Sequence, residues 1–285
     1  LGALSTAFYL FGVSFVYGAL GTFSFDAMFI HAKDYDLYVT LGFLFITIAF
    51  FFKMSLVPFH MWTPDVYQGS PTPVTLFLSV IPKISTLGIF IVLITNVFKQ
   101  QDISLLYIIS ILSMGVGSLT ALFQKNIKRL MAYSTISHMG YISMGLLCDH
   151  FQSITAILTY IVIYAVTLVG LFSCLLGLKY YGKTIENNED LKGLGTKAPL
   201  ISAALLVFLF SLTGLPPLAG FFAKLTLFSA VLEKGHITLV VFAIVSSVIS
   251  AGYYLKIIKL MYFEDKIDNH TFHALDISQA RSTYM

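Results

Sequence analysis

The chain has almost no acid where it is most apolar. All 14 Asp and Glu residues fall in the connectors between its long apolar stretches or in the tail, and none falls inside a stretch. Charge of either sign is scarce. Of 285 residues, 11% are charged and 57% hydrophobic, against about 25% charged in an ordinary soluble domain. With a mean hydropathy of +0.85, this composition excludes a soluble globular protein. Cysteine is nearly absent too. Cys148 and Cys174 stand alone, with no CxxC and no His/Cys cluster, so no zinc or iron–sulfur site can be built from them and both read as apolar packing. There is no glycine-rich nucleotide loop, no nucleophile paired with a base and no cofactor ligand set. ATP hydrolysis and redox chemistry therefore have no home in this sequence. The net charge of +3 is small and the basic residues sit near helix ends, so no nucleic-acid partner is indicated. No cleavable signal is visible, and Leu1 already lies inside an apolar run.

What is present is a polytopic, all-α integral membrane protein with lipid around it. Spans of about 20 apolar residues predict about eight transmembrane helices, over residues 1–20, 37–57, 73–98, 103–123, 130–148, 151–178, 199–231 and 236–262. Two of them carry helix breakers: Pro58 follows Lys53, and Gly214, Pro216 and Pro217 precede Lys224. Proline removes a backbone donor and clashes with the preceding turn. Broken helices in a bilayer mark ion sites in transporters, although a simple kink in a packing helix fits the same residues. The connectors after spans two, four and six hold Lys125, Lys128, Arg129, Lys179, Lys183, Lys192 and Lys197, whereas the others hold only Lys33, Lys99 and Lys234. The positive-inside rule puts the first set and both chain ends on the cytoplasmic or matrix side. The polar tail, residues 263–285, belongs at that surface.

Three lysines, Lys53, Lys83 and Lys224, lie inside apolar stretches. A lysine at the centre of a membrane helix costs about 2.5–3.5 kcal/mol on insertion scales, so three of them point to an ion or proton pathway. Desolvation disfavours an ammonium, and a buried amine can thereby exchange a proton near neutral pH. The competing reading is snorkelling of the long stem to the interface, which fits Lys83 least. His138 is the only histidine well inside a span and suits proton relay, with Tyr133, Ser134, Thr135, Ser137 and Tyr141 as hydrogen-bonding company. A histidine bonded to a neighbouring helix fits equally. His60 borders a connector and could help proton entry or make a structural hydrogen bond. Trp62 and Tyr67 fit an interfacial aromatic belt.

The stretch FKMSLVPFHMWTPDVYQGSPTPVTLFLSVIPKIS, residues 52–85, closely resembles the antiporter-like membrane subunits of respiratory complex I, which share ancestry with multisubunit cation/proton antiporters. The wording WTPDVYQGSPTP at residues 62–73 resembles the N-type members, called subunit 2 in mitochondria, more than the L- and M-type members or the antiporters, which more often read W-L-P-D-A-H there. The opening LGALSTAFYLFGVSFVYGALGT, NIKRLMAYSTISHMGY and GLPPLAGFFAKL carry the same resemblance, which covers nearly the whole chain.

The resemblance implies an antiporter-like helix bundle of two inverted five-helix repeats, each with one discontinuous helix. Residues 1–98 would be the C-terminal helices of an incomplete first repeat, 99–262 the second repeat and 263–285 the tail. It implies Lys53, Lys83, His138 and Lys224 as the proton pathway, with His60, Ser134, Thr135, Ser137 and Tyr141 as accessory positions. In the family a glutamate on a preceding helix pairs with the first lysine. The family also has further helices before the position of Leu1 and a final one after MYFED. The chain is therefore expected to be the C-terminal portion of a subunit, either a partial sequence or one half of a split one whose partner chain carries the missing helices. The other expected partners are the remaining membrane-arm subunits of complex I. FMN, iron–sulfur clusters and quinone would be held by partner subunits, with no cofactor in this chain. The location would be the mitochondrial inner membrane, or alternatively a bacterial cytoplasmic membrane. Coupling of quinone reduction to proton transfer is the implied activity. A cation/proton antiporter component and a non-pumping structural subunit are the alternatives.

Overall fold

The computed structural model describes residues 2–25, 28, 37–97, 104–148, 151–180, 183–264 and 273–274. The helices run in the order α1 (Gly2–Leu20), α2 (Leu37–Met54), α3 (Trp62–Gly69), α4 (Thr72–Val92), α5 (Leu105–Ala121), α6 (Ile127–Gly145), α7 (Phe151–Leu176), α8 (Leu194–Lys197), α9 (Pro199–Thr213), α10 (Ala219–Glu233) and α11 (Ile237–Phe263). A π-helical turn, Leu93–Val97, extends α4. Among the described residues five helices, α1, α2, α4 with its extension, α7 and α11, are long and apolar enough to cross a membrane, and α5 and α9 are shorter apolar helices.

Local chemistry sets the ends. Asn126 caps α6 by accepting the Arg129 amide at 3.0 Å, which satisfies one of the orphan donors of a first turn. Pro199 opens α9, where its missing N–H costs nothing. Gly214, at φ +84°, closes α9 by turning left-handed, and its amide and that of Leu215 return to Phe210 O.

The packing inverts the soluble pattern. Large apolar side chains such as Val162, Val166 and Val248 are exposed, while serines, threonines and two lysines of apolar stretches are buried. Helix α6 lies innermost: every residue from Ser134 to Gly145 is buried. It meets α5 at close range because each helix sets a glycine against the backbone of the other. A Cβ on Gly117 would stand 2.5 Å from Ser137 N, and one on Gly140 would stand 2.8 Å from Met114 N. Small residues at such crossings let helices in lipid gain van der Waals contact that larger ones forbid.

Two readings of the sequence are refined. The apolar run 199–231 is two helices, α9 and α10, separated by residues 214–218. Likewise α2 stops at Met54 and a separate short helix, α3, starts at Trp62. One feature has no counterpart in an all-helical expectation. A small antiparallel sheet of order β2-β1-β3 is formed by β1 (Leu178–Tyr180), β2 (Lys183–Thr184) and β3 (His273–Ala274), with Lys179 opposite Thr184 and Leu178 opposite Ala274. It joins the connector after α7 to the tail. The rest of the tail beyond Glu264, with Lys33 and Lys99, lies outside the described residues.

Candidate functional site

Lys83 and Lys224 occupy two cages of the same design. Lys83, on α4, is fully buried. Its Nζ donates to the main-chain oxygen of Lys53 at 2.7 Å and to Ser55 Oγ, and it stands 5.1 Å from the centre of the Trp62 ring. Lys224, on α10, is buried. Its Nζ donates to Thr213 O at 2.8 Å and Ser247 Oγ at 2.9 Å and stands 5.4 Å from the Tyr141 ring centre. Each ammonium thus has a carbonyl at the C-terminal end of an interrupted helix, a serine hydroxyl and an aromatic face.

The breaks make these cages. The last carbonyls of α2 and α9 have no intrahelical partner, and the C-terminal end of a helix carries partial negative charge. A cation is therefore held by partial charges, with no counter-ion among the described residues, and the ring quadrupole adds attraction. At the first break, Ser55 takes a left-handed conformation, φ +64°, which aims its hydroxyl at Lys83. Thr63, in α3, donates to the same hydroxyl at 2.6 Å, and Ser113 of α5 takes the freed Val57 amide at 2.9 Å. At the second, Gly214 leaves room for the lysine stem: a Cβ there would lie 2.8 Å from Lys224 Cδ. Among the described residues the ion pairs, Arg129–Asp65, Lys192–Glu264 and Lys259–Glu264, involve neither caged lysine.

Lys53 departs from the expectation of three buried lysines. Its side chain is exposed, and its contribution to the Lys83 cage is a main-chain carbonyl.

His138 stands at the centre of a hydroxyl cluster. Nδ1 is 2.7 Å from Tyr160 OH and Nε2 3.3 Å from Tyr254 OH, and Tyr254 is bonded to Ser134. Thr135 accepts from Tyr164 at 2.9 Å, whose ring centre is 5.1 Å from the imidazole. Ser137 and Tyr141 meet instead at Ser246 of α11, at 3.4 and 3.2 Å. Of the other expected members, Tyr133 is half-buried under Arg129. The His60 ring is half-buried and its Nδ1 has no partner among the described residues. Tyr67 is no interfacial residue: it is fully buried, and its hydroxyl donates to Leu78 O at 3.3 Å.

Residues that the sequence reading missed include Ser55, Thr63, Tyr160, Tyr164, Tyr254, Ser246 and Ser247. The i, i+4 spacing of Tyr160 and Tyr164, which puts both on one helix face, was a usable signal. Serines and tyrosines scattered through apolar helices otherwise pass as packing.

Lysines caged at helix breaks inside a bundle that is apolar outside and polar within define a multi-pass membrane protein with a charge-bearing interior. Comparison with known proteins makes the assignment specific. The family model described as NADH:quinone oxidoreductase/Mrp antiporter, transmembrane, matches residues 1–250, and the chain belongs to that family. It is 44% identical over 271 residues to NADH-quinone oxidoreductase subunit N of Rhodospirillum rubrum, covering 93% of this chain and 56% of that protein. To subunit N of Pelagibacter ubique it is 44% identical over 276 residues, covering 95% and 58%. The chain spans about half the length of the curated relatives it matches. A chain in the structure of respiratory complex I from Thermus thermophilus with bound aureothin is 34% identical and superposes with a TM-score of 0.83, covering 99% of this chain and 61% of that one.

Proposed function

We propose that this chain is the proton-translocating part of an N-type membrane-arm subunit of NADH:quinone oxidoreductase. The observation that carries the reading is the pair of neutral cages around Lys83 and Lys224, with the His138 cluster available as a relay. In this reading the chain makes about eight membrane crossings, with α2–α3 and α9–α10 as discontinuous helices. Residues 1–98 belong to a first inverted repeat, 99–262 form the second, and 263–285 are a polar tail. Quinone reduction elsewhere in the complex sends an electrostatic change along the membrane arm. Lys83 then changes protonation, and the proton passes by the hydroxyls around His138 toward Lys224. Lys53, with its side chain outside the cage, meets a partner group beyond this chain. The redox groups, FMN and iron–sulfur clusters, and the quinone site belong to partner subunits of the same complex. The membrane is an energy-transducing one, the mitochondrial inner membrane or a bacterial cytoplasmic membrane.

The test is Lys83→Ala in the assembled complex. Proton pumping and the quinone reductase activity coupled to it fall, while NADH oxidation with artificial acceptors persists. Unchanged quinone reduction and proton yield would sink the reading. A component of a cation/proton antiporter is the second reading, favoured by the breadth of the family model. It predicts sodium-dependent transport in an assembly with no NADH-oxidising partner.

A further inference from the structure

We infer that Lys128 is a positioning residue for the Lys83 cage: it grips the C-terminal end of α3 and thereby holds Thr63 and Trp62, at the other end of that short helix, against Ser55 and Lys83. The inference rests on the proton-relay reading above and adds to it a residue outside both cages. By sequence Lys128 belongs with the basic residues of a connector. In the fold it is the second residue of α6 and only 6% exposed. Among the described residues it has no acidic partner, and the hydrogen bond its Nζ makes is to Ser70 O, at 2.9 Å.

A buried ammonium is costly unless something answers its charge, and its own helix does not. The first turn of α6 carries the positive end of the helix dipole, where an acid is favoured and a cation is not. Ser70 caps the C-terminal end of α3, which carries the negative end. Its carbonyl is also free for a side chain: Pro71 follows, and the next amides, of Val74 and Thr75, bond to Pro71 O. The Lys128 ammonium therefore suits α3 and not the helix that bears it. Arg129 beside it reaches the same short helix, bonding Asp65 at 2.6 Å and Gln68 at 3.2 Å. Those contacts are exposed, where an ion pair holds little. Lys128 is the shielded tie.

Helix α3 transmits the grip. Its eight residues, Trp62–Gly69, make a rod about 12 Å long. At its N-terminal end Thr63, fully buried, donates to Ser55 Oγ at 2.6 Å, and that hydroxyl is a ligand of Lys83. The Trp62 indole N–H donates to Phe52 O at 2.9 Å, while its ring centre stands 5.1 Å from Lys83 Nζ. The hydroxyl and the aromatic face at Lys83 thus depend on where α3 lies. Its far end is held by α6, the helix that also bears His138.

The experiment is a double-mutant cycle of Lys128→Met and Thr63→Val. It is read as proton pumping by the assembled complex in proteoliposomes, with NADH oxidation by artificial acceptors as the control for assembly. Each single variant is expected to lower pumping at least about tenfold. The double variant is expected to pump no worse than Thr63→Val, because two changes that act through one contact do not add. A residue that merely stabilises the fold would add its loss to the other. Lys128→Arg keeps a charged donor that does not give up its proton and should restore pumping. Losses that multiply in the double variant overturn the inference. So does a Thr63→Val that pumps normally, since the grip would then have no path to Lys83. A complex that assembles with Lys128→Arg and still loses pumping overturns it too, because Lys128 would then be needed for its proton. If Lys128→Met fails to assemble, the cycle is run with Lys128→Gln. Loss of pumping in Lys83→Ala with normal pumping in Lys128→Met would remove this inference alone. Normal pumping in both would remove the proton-relay reading itself.

Discussion

Lys83 binds the main chain of Lys53, not its side chain: Nζ lies 2.7 Å from the carbonyl oxygen of a residue 30 positions earlier. One lysine is thereby held by the end of the helix that carries the other, and whatever moves the end of α2 moves the ligand of Lys83. The second ligand, Ser55, sits in the first residue past that helix.

Ser55 gives the sharpest test of the cage. Ser55→Ala and Ser55→Gly both remove the hydroxyl that Lys83 and Thr63 share, and both are expected to lower proton pumping about tenfold. Their stabilities should differ. Glycine takes a positive φ without penalty, whereas alanine at φ +64° is strained, so Ser55→Gly should melt higher than Ser55→Ala. Equal melting temperatures would contradict the left-handed assignment.

Gly214→Ala should do two things at once. A left-handed residue with a Cβ costs about 1–2 kcal/mol, and the new methyl would meet Lys224 Cδ at 2.8 Å and push the ammonium off Thr213 O. Gly235 is the control. It also has a positive φ, +82°, but a Cβ there meets nothing within 4 Å. Gly235→Ala should show the stability loss with normal pumping, and Gly214→Ala should lose both. The readouts are thermal melting of the purified complex and pumping in proteoliposomes.

Gly117→Ala should destabilise by about 1–3 kcal/mol, because its Cβ would meet the backbone of α6 at Ser137 N and Tyr133 O, 2.5 and 2.8 Å away. Backbone cannot rotate aside as a side chain can. Gly115→Ala, on the same helix with nothing within 4 Å, should be neutral or slightly stabilising. The amount of assembled complex and its melting temperature check the contrast.

The Arg129–Asp65 bridge at 2.6 Å ties α3 to α6, yet Asp65 is 72% exposed. A pair so open to solvent contributes about 0.2–1 kcal/mol. A double-mutant cycle of Asp65→Asn and Arg129→Gln should therefore return a small coupling that shrinks in high salt. A coupling well above 1 kcal/mol would mean that the bridge is shielded in the assembled protein.

The sequence points to the two breaks because a charge inside an apolar run and a proline or glycine break within two turns of it are both rare. At the second break the lysine so marked, Lys224, is the caged one; at the first it is Lys53, whereas the caged lysine, Lys83, comes from another helix. Orientation was not readable. Lys53 has the same apolar neighbours in sequence as a buried lysine, yet its side chain is exposed. The hydroxyl cluster was half-readable. His138, Ser134 and Thr135 stand close together on α6, but Tyr160, Tyr164 and Tyr254 come from α7 and α11 and meet His138 only once the bundle has formed. Tyr67 was misread for a related reason. A tyrosine next to a connector looks interfacial until a neighbouring helix, here α4 with Leu78, closes over it. The sheet that ties the connector after α7 to the tail pairs segments about ninety residues apart, too short and too distant for any periodicity to reveal.

The cages of Lys83 and Lys224 hold carbonyls, hydroxyls and rings, and among the described residues no carboxylate. Gaining or losing a proton changes the charge of a cage by one full unit, and with no acid beside it the protonated state is not cancelled locally: its energy falls only as the inverse of distance, in a medium with little water to screen it. A protonation event at one cage is therefore broadcast through the bundle, and the second lysine feels it without any helix having to move.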